Sequence, residues 1–324
     1  SLLSVGACSK SGPSPASRPN SASLERGELL ADLKLSPVSV DKESAKRRRF
    51  GPMTLLAAYE LDSAHEHFGG LSGLALSSDS KRLVFIADRG RWFSAVHGLD
   101  AESGALKSLG SWRSGRLLAP SGKPVTRRHR DAESITVHGG HIDVSYEQIH
   151  RVWRHSDLRK APTPLWMPPE LSKAPSNGGL EAVTALADGR LLVFCEKYKT
   201  SGGALRGWLV DPAKKDAKPL SLVVGEGFKP TDLATLPSGD VLLLERAHSF
   251  LGGTRVRLRR IAKATLVANA RLTPKELLRL DRRHAVDNFE GLAVERHPRG
   301  TLVYIVSDDN FSRLQRTLLY QFVL

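Results

Sequence analysis

Acidic residues recur at matched places along this chain: Glu133, Glu181, Asp232 and Glu290 open short apolar runs, while Asp88, Glu147, Glu196, Glu245, Asp308 and Asp309 close the runs that follow. Carboxylates gathered in such number cannot all be ionised side by side, because like charges a few ångströms apart raise each other's pKa. They need cations, and two kinds are on offer. The chain itself supplies Arg89, Lys197 and Arg246, each directly after one of these acids. Neighbours on a strand point to opposite faces, so each base is expected to reach the acid of an adjacent unit, giving a ring of salt bridges.

The second kind is a bound Ca2+, which takes six to eight oxygen ligands from carboxylates, amide side chains, carbonyls and water. Asp232, Glu290, Asp308 and Asp309, with Asn288 and Asn310 close by in sequence, form an oxygen-only set of that type. No histidine falls at the repeated acidic positions, which disfavours transition metals. With Ca2+ the expected chemistry is ester hydrolysis, the ion polarising a phosphoryl or acyl oxygen and a carboxylate outside its shell acting as general base. Glu133, Glu181 and Glu290 are the candidates for that carboxylate. Arg89, Lys197 and Arg246 would hold substrate anions, the arginines in bidentate fashion. The salt-bridged ring and the Ca2+ ring both remain open on these residues. A serine nucleophile is poorly supported, because Gly70-Leu71-Ser72-Gly73-Leu74 lacks the second glycine of a nucleophile elbow and no helix follows it.

The elements that must position these acids are strands. Five times an apolar run, a turn and a second apolar run succeed one another, beginning at Ser72, Glu133, Glu181, Asp232 and Glu290 and spaced roughly 50 to 60 residues apart, the period of propeller blades. Asp188-Gly189 between Ala182–Leu186 and Leu191–Phe194 gives the plainest hairpin. In the second unit His138-Gly139-Gly140-His141 takes the turn's place, a hairpin rather than a metal site. The innermost strands line a central channel, so acids at the starts of first strands and the ends of second strands converge at one mouth. Thr273-Pro274-Lys275-Glu276-Leu277-Leu278 carries the N-cap and early proline of a short helix. The strand Thr317–Leu324 and the early strand Thr54–Tyr59 are expected to share one blade and close the ring. The fold class is therefore all-β, a single β-propeller; a degenerate sixth blade is expected beside the five copies, since smaller rings are rarer.

The chain has 324 residues, with 48 Lys and Arg against 34 Asp and Glu and a formal charge of +14. Such a surface attracts anions: phosphorylated substrates, anionic lipid or nucleic acid. No recognition helix, zinc finger or aromatic RNA-binding pattern accompanies the basic runs, and aromatics are only 6% of residues, so nucleic acid is not the expected partner. Arg255 to Arg260, alternating with apolar residues, reads as a strand with one solvated basic face. Only Cys8 and Cys195 are present, too few for a disulfide framework. Cys195 lies in the apolar strand Leu191–Cys195 and reads as a packing residue.

Residues 1–8, ending Ser4-Val5-Gly6-Ala7-Cys8, resemble the tail of a signal peptide with a bacterial lipobox, in which Cys8 carries the lipid. Residues 9–50, rich in Ser, Pro and Ala, are expected to form a disordered tether, and 51–324 the propeller. This reading gives an exported protein, periplasmic or anchored to the membrane through Cys8, of a Gram-negative bacterium. A closed propeller needs no partner for its core, so a monomer is expected.

From Phe68 onward the chain resembles the esterase-like, phytase-like β-propeller family of bacteria. The resemblance rests on Gly69-Gly70-Leu71-Ser72-Gly73-Leu74, Asp88-Arg89-Gly90, Asp131-Ala132-Glu133, Asn177 to Ala182, Pro230 to Ala234 and Glu245-Arg246. Its most specific part is the closing stretch, Asp287 to Ala293 with Val306 to Ser312 and Leu314 to Thr317. Ser134 departs from the pattern, standing where a glycine is usual. The resemblance implies a six-bladed, exported propeller whose activity is hydrolysis of phosphate or carboxylic esters. A non-catalytic envelope lipoprotein with a binding role is the alternative, because propellers host many unrelated functions.

Overall fold

Alternating apolar residues in each repeat fold into antiparallel four-stranded sheets. In the computed structural model, which describes residues 24, 27–30, 33–250 and 252–324, there are five sheets, each a four-stranded blade or such a blade with one or two further strands at its edge. Their innermost strands are Leu71–Leu76, Ala132–His138, Leu180–Ala185, Lys229–Thr235 and Asn288–His297. We number the blades 1 to 5 in that order. Each inner strand packs against the next, and that of blade 5 against that of blade 1, so the ring is closed.

Five blades stand where six were expected. The strands that might have formed another blade are used elsewhere. Met53–Asp62 is the fourth strand of blade 5, outside Thr317–Val323, with Leu319 opposite Tyr59. The ring is thus closed by joining the two ends of the chain in one blade, as expected, and the ring needs no sixth sheet.

Between Ala262 and Arg283 the expected helix is replaced by a strand. Lys275–Leu280 forms the outer edge of blade 4, antiparallel to Gly253–Ile261, and buries Leu278 and Leu280. The Thr-Pro pair that suggests a helix start stands just before this strand, where proline costs no ladder bond. Tertiary pairing overrides the local signal.

Cys8 and the other residues of the expected lipobox lie outside the described residues, as do residues 9–23 of the expected tether. Further along that segment the chain is built into the fold. Lys34–Pro37 pairs with Met53–Asp62 at the edge of blade 5, Glu28–Leu29 pairs with the outer strand of blade 1, and Val40 and Phe50 are buried.

The core is divided among the blade interfaces. Five apolar clusters form it, such as Leu242, Leu244 and Leu258 of blade 4 against Phe289, Ile305 and Tyr320 of blade 5. Blades 5 and 1 meet through Tyr304, Val306, Phe85 and Trp112. Cys195 is fully buried and burial pushes its thiol up to about 12, consistent with packing rather than nucleophilic chemistry. The turn at His138–His141 is a two-residue hairpin whose Gly139 and Gly140 both have positive φ, at 55° and 82°. This geometry selects glycine at both positions.

Candidate functional site

Each inner strand pairs with its neighbour in register except for one β-bulge near its start. In blades 1, 3, 4 and 5 the extra residue is Ser72, Glu181, Thr231 and Glu290, and in blade 2 the shift falls at Glu133-Ser134. A bulge breaks the two-residue alternation and re-aims a side chain. Glu133, Glu181 and Glu290 are aimed into the mouth of the channel in this way. A second tier comes from the residue of each second strand that stands one place beyond the pair flanking the bulge: Asp88, Glu147, Glu196, Arg246 and Asp308.

The two tiers face one another electrostatically. Burial raises Glu133 well above the usual carboxylate range, and the charges of Asp131, Glu290, Glu147 and Asp88 add to it. Burial likewise raises Glu181, followed by the charge of Glu133 and a hydrogen bond shared with Glu147. Glu290 is pushed up to about 7 by burial, against the pull of Arg246 and Asn288. Asp308 reaches about 8, through burial and then the Glu290 charge. Asp88 reaches about 6 through burial and then Asp131. The mouth therefore holds several carboxyl groups that keep protons near neutral pH.

The tightest oxygen cluster is Asp131, Glu133 and Glu147, each offering an oxygen within 4.8 Å of the others. All three belong to the hairpin of blade 2. Asp131 and Glu133 are two residues apart and so share a strand face, while the Glu147 amide donates to the Asp131 carbonyl across the hairpin at 2.9 Å. Glu147 also accepts bonds from the amides of Gly178 and Gly179. Asp131 was not among the acids singled out from the repeat. The alternating Asp131-Ala132-Glu133 was the available signal.

The six residues read as a calcium set are divided. Asn288 and Glu290 stay together, the amide donating to Glu290 Oε1 at 2.8 Å, and Asp308 lies beside them. Asp309 instead fastens the loop that enters blade 1, accepting from Gly70 N at 2.9 Å and Phe311 N at 3.0 Å. The Asn310 amide donates to Gln315 at 3.1 Å, on the exposed side. Asp232 stands one residue past the bulge position, so it is the counterpart of Ser134 and Ala182 rather than of Glu133. It is fully buried on the axis, accepting from Ser134 Oγ at 2.7 Å, Leu233 N at 2.9 Å and Leu292 N at 2.7 Å. Protein donors occupy its oxygens.

Glu245 is likewise displaced by one residue. It pairs with Pro230, whereas the mouth position of blade 4 is Arg246. Its carboxylate turns into the sheet face and is held by Arg257 Nε at 2.7 Å and Arg259 Nε at 2.5 Å. Arg257 also lies over Phe228, 4.0 Å from the ring centre. The basic face expected to be solvated is buried at Arg257 and Arg259.

Of the three expected substrate-binding bases, Arg246 reaches Glu290 of the next blade at 3.3 Å, in the manner expected. Lys197 instead bridges its own neighbour Glu196 at 3.2 Å and Asn177 Oδ1 at 2.6 Å, because the ladder is irregular between Phe194 and Lys199. Glu196 also takes Lys229 at 2.9 Å. Arg89 lies flat over the Phe311 ring at 3.3 Å. His65 and His67 sit in the turn that precedes Leu71–Leu76.

Among known proteins, the family described as "Phytase-like: Esterase-like activity of phytase" matches residues 66–311. No curated protein matches the chain. Among solved structures, a PQQ-bound aldose sugar dehydrogenase from Streptomyces coelicolor is 12% identical, with a TM-score of 0.44 over 89% of this chain and 100% of that one. A glutaminyl cyclase from Myxococcus xanthus gives 12% and 0.43 over 84% and 96%. A luciferin-regenerating enzyme gives 12% and 0.44 over 83% and 95%.

Proposed function

The chain belongs to the phytase-like family described by its esterase-like activity, and from that premise we propose that it hydrolyses phosphate or carboxylic esters at the acid-lined mouth with the help of Ca2+. One observation carries the reading: Asp131, Glu133 and Glu147 present oxygens within 4.8 Å of one another at the mouth. An oxygen-only set of this kind suits a hard divalent cation. These three would hold it, in place of the set that includes Asp232, Asp309 and Asn310. When bound, such an ion supplies polarisation of the ester oxygen and a more acidic water.

The remaining roles fall to this chain's own groups. Glu290, pushed up to about 7 and oriented by Arg246 and Asn288, is suited to take up a proton from water and return it to the leaving oxygen. Glu181, raised by burial, by the Glu133 charge and by its hydrogen bond with Glu147, would keep its proton. Arg89 is the base of the expected trio left without a carboxylate partner among the described residues, and it would meet the anionic part of the substrate.

The test is an assay of the purified chain on a phosphomonoester and on a short acyl ester, each with Ca2+ and with chelator. Turnover of one substrate that needs Ca2+ is expected. Background rates in all four conditions would overturn the proposal. They would favour the alternative, a non-catalytic binding protein of the cell envelope, in which the chain's own bases neutralise the mouth acids as Lys197 and Lys229 do at Glu196. We extend the proposal to export and a lipid on Cys8, supported by the lipobox-like Leu2–Cys8. Replacement of Cys8 by Ser would then release the protein from membranes.

A further inference from the structure

Loops that join the second to the third strand of each blade leave the ring on the face that holds the mouth, because every second strand ends there. Three of them carry a large apolar side chain in water. Ile149 of blade 2 is 54% exposed, Leu314 of blade 5 is 95% exposed and Phe250 of blade 4 is 100% exposed. Phe250 stands well clear of the mouth. The blade 4 hairpin continues past Arg246 to the pair of Ser249 and Gly253, three residues that lift its tip about 10 Å above the carboxylates. Surface hydrophobics scattered singly need no explanation. These three share one face, around one opening.

Two of the three have exposed cations beside them. Arg313 precedes Leu314 and is itself exposed. Arg127 and Arg128 are exposed in the loop that enters blade 2, and Arg151 fastens that loop to Ile149. Its Nη1 donates to the Ile149 carbonyl at 2.8 Å, and its Nη2 donates to the carbonyl of His129. The corresponding blade 3 loop begins with the exposed Lys199. Beside the blade 4 hairpin the Glu226 carboxylate is met by Arg255 at 3.4 Å and Arg279 at 2.6 Å, so it adds little uncompensated negative charge. The acids of the mouth do not cancel this basic rim. They lie beneath it, several keep protons near neutral pH, and Glu196 is met by Lys197 and Lys229.

We propose that the mouth face docks on a lipid bilayer with anionic headgroups, the three apolar tips entering the boundary of the acyl chains and the arginines beside them meeting the headgroups. Such a boundary offers hydrocarbon and negative charge within a few ångströms of each other, which is what an apolar tip next to an arginine requires. The tips belong to blades 2, 4 and 5 and stand around the opening rather than in one patch, a shape suited to a flat, deformable surface and not to a close-packed protein interface. The net charge of +14 favours the same partner. A single membrane signal gives only weak, reversible binding, so removal of a lipid from Cys8 would still release the chain at physiological salt. The docking goes beyond the hydrolase reading and does not depend on it.

The experiment is co-sedimentation of the full chain carrying Cys8→Ser, and hence no lipid, with vesicles of phosphatidylcholine alone or mixed with phosphatidylglycerol. At low salt, binding is expected to the mixed vesicles and not to phosphatidylcholine alone, and it should weaken as salt is raised to about 0.15 M. Phe250→Ser and Leu314→Ser should each weaken binding about tenfold, the loss of one buried apolar side chain. Arg128→Gln should weaken it about fivefold. Val267→Ser and Lys215→Gln are the controls, both exposed in segments that follow a third strand and so lie at the opposite end of the blades; they should leave binding unchanged. All five side chains are exposed, and an unchanged melting temperature checks that each variant is folded. No binding to the mixed vesicles overturns the proposal and leaves the tips to a protein partner. Equal weakening by Arg128→Gln and Lys215→Gln, or full binding after loss of both Phe250 and Leu314, also overturns it, since net charge alone would then hold the chain to the lipid.

Discussion

The hydroxyl of Ser134 in blade 2 donates to Asp232 of blade 4 across the propeller axis, at 2.7 Å. The same hydroxyl stands 3.0 Å from the carbonyl and 3.3 Å from the amide of Val183 in blade 3, and the other Asp232 oxygen accepts from Leu292 N of blade 5. With the Leu74 amide of blade 1, which also acts on Asp232, all five blades are tied by two side chains. Burial raises the Asp232 carboxyl, while the donors from Ser134, Leu292, Leu233 and Leu74 oppose it.

Ser134→Ala should therefore cost about 1–3 kcal/mol, the penalty of stripping one donor from a buried acceptor. Asp232→Asn should cost more, because an amide NH2 would face amide donors. Thermal melts of both variants check this. Melting temperatures equal to wild type would mean that the axial tie does not hold the blades.

Glu245 is the single carboxylate between two buried guanidinium groups, Arg257 and Arg259. Glu245→Gln should destabilise the chain by about 3–5 kcal/mol, since removing one partner leaves buried charge uncompensated. Glu226→Gln, on the exposed side of Arg279, should have a small effect. Denaturant melts of the two variants separate them.

How much of this was legible can be argued from blade 4. The strands were plain, because alternation of apolar residues survives in every repeat, and the closure of the ring through Thr317–Val323 followed from the same pattern. The bulges were not plain. A bulge inserts one residue and reverses which side chains face the axis beyond it, so two acids that look equivalent in sequence part company. Asp232 follows the bulge at Thr231 and goes to the axial tie, and Glu245 precedes Arg246 and goes into the sheet. Asp131 precedes the apolar run, where repeat counting does not look. Blade number was not legible either, because it depends on how strands from distant parts of the chain are shared, and Met53–Asp62 belongs to blade 5.

His155 is fully buried, and burial lowers its pKa to about 4, against the opposing pull of the Lys160 backbone and the Asp157 charge. Between pH 4 and 6.5 the unfolded chain takes up a proton that the folded chain refuses. The group's contribution to stability is thus fully present above the ordinary histidine pKa and is lost as pH falls toward 4. From pH 7 to 5 the loss should be about 2 kcal/mol. His155→Phe should show a correspondingly weaker fall in melting temperature over that interval. Parallel pH profiles for wild type and variant would refute the assignment.

Gly70 carries φ +63°, and an added Cβ would stand 2.4 Å from the Phe311 ring and 2.5 Å from Asp88 Oδ1. Gly70→Ala should therefore shift Phe311, the platform for Arg89, together with the Asp88 carboxylate. Weaker ester turnover with a melting temperature lower by a few degrees is expected, about 1–3 kcal/mol of backbone strain. The conservative comparison is Gly122→Ala, also at positive φ but with open space around it, where turnover should be kept.

Glu133 faces Asp131, Glu290, Glu147 and Asp88, and each of those charges disfavours its ionised form. Without a cation, folding at neutral pH forces a proton onto Glu133, a cost that Glu133→Gln removes, so the melting temperature in chelator should rise. In wild type, millimolar Ca2+ should raise it by mass action, by an amount that grows with ion concentration. Glu133→Gln should lose most of that Ca2+ response, because one of the three clustered oxygens within 4.8 Å is gone, and its ester turnover should fall about 100-fold. The two effects have opposite signs on stability and activity, which a misfolded variant would not produce. A Ca2+ shift of equal size in wild type and variant would place the ion elsewhere on the chain.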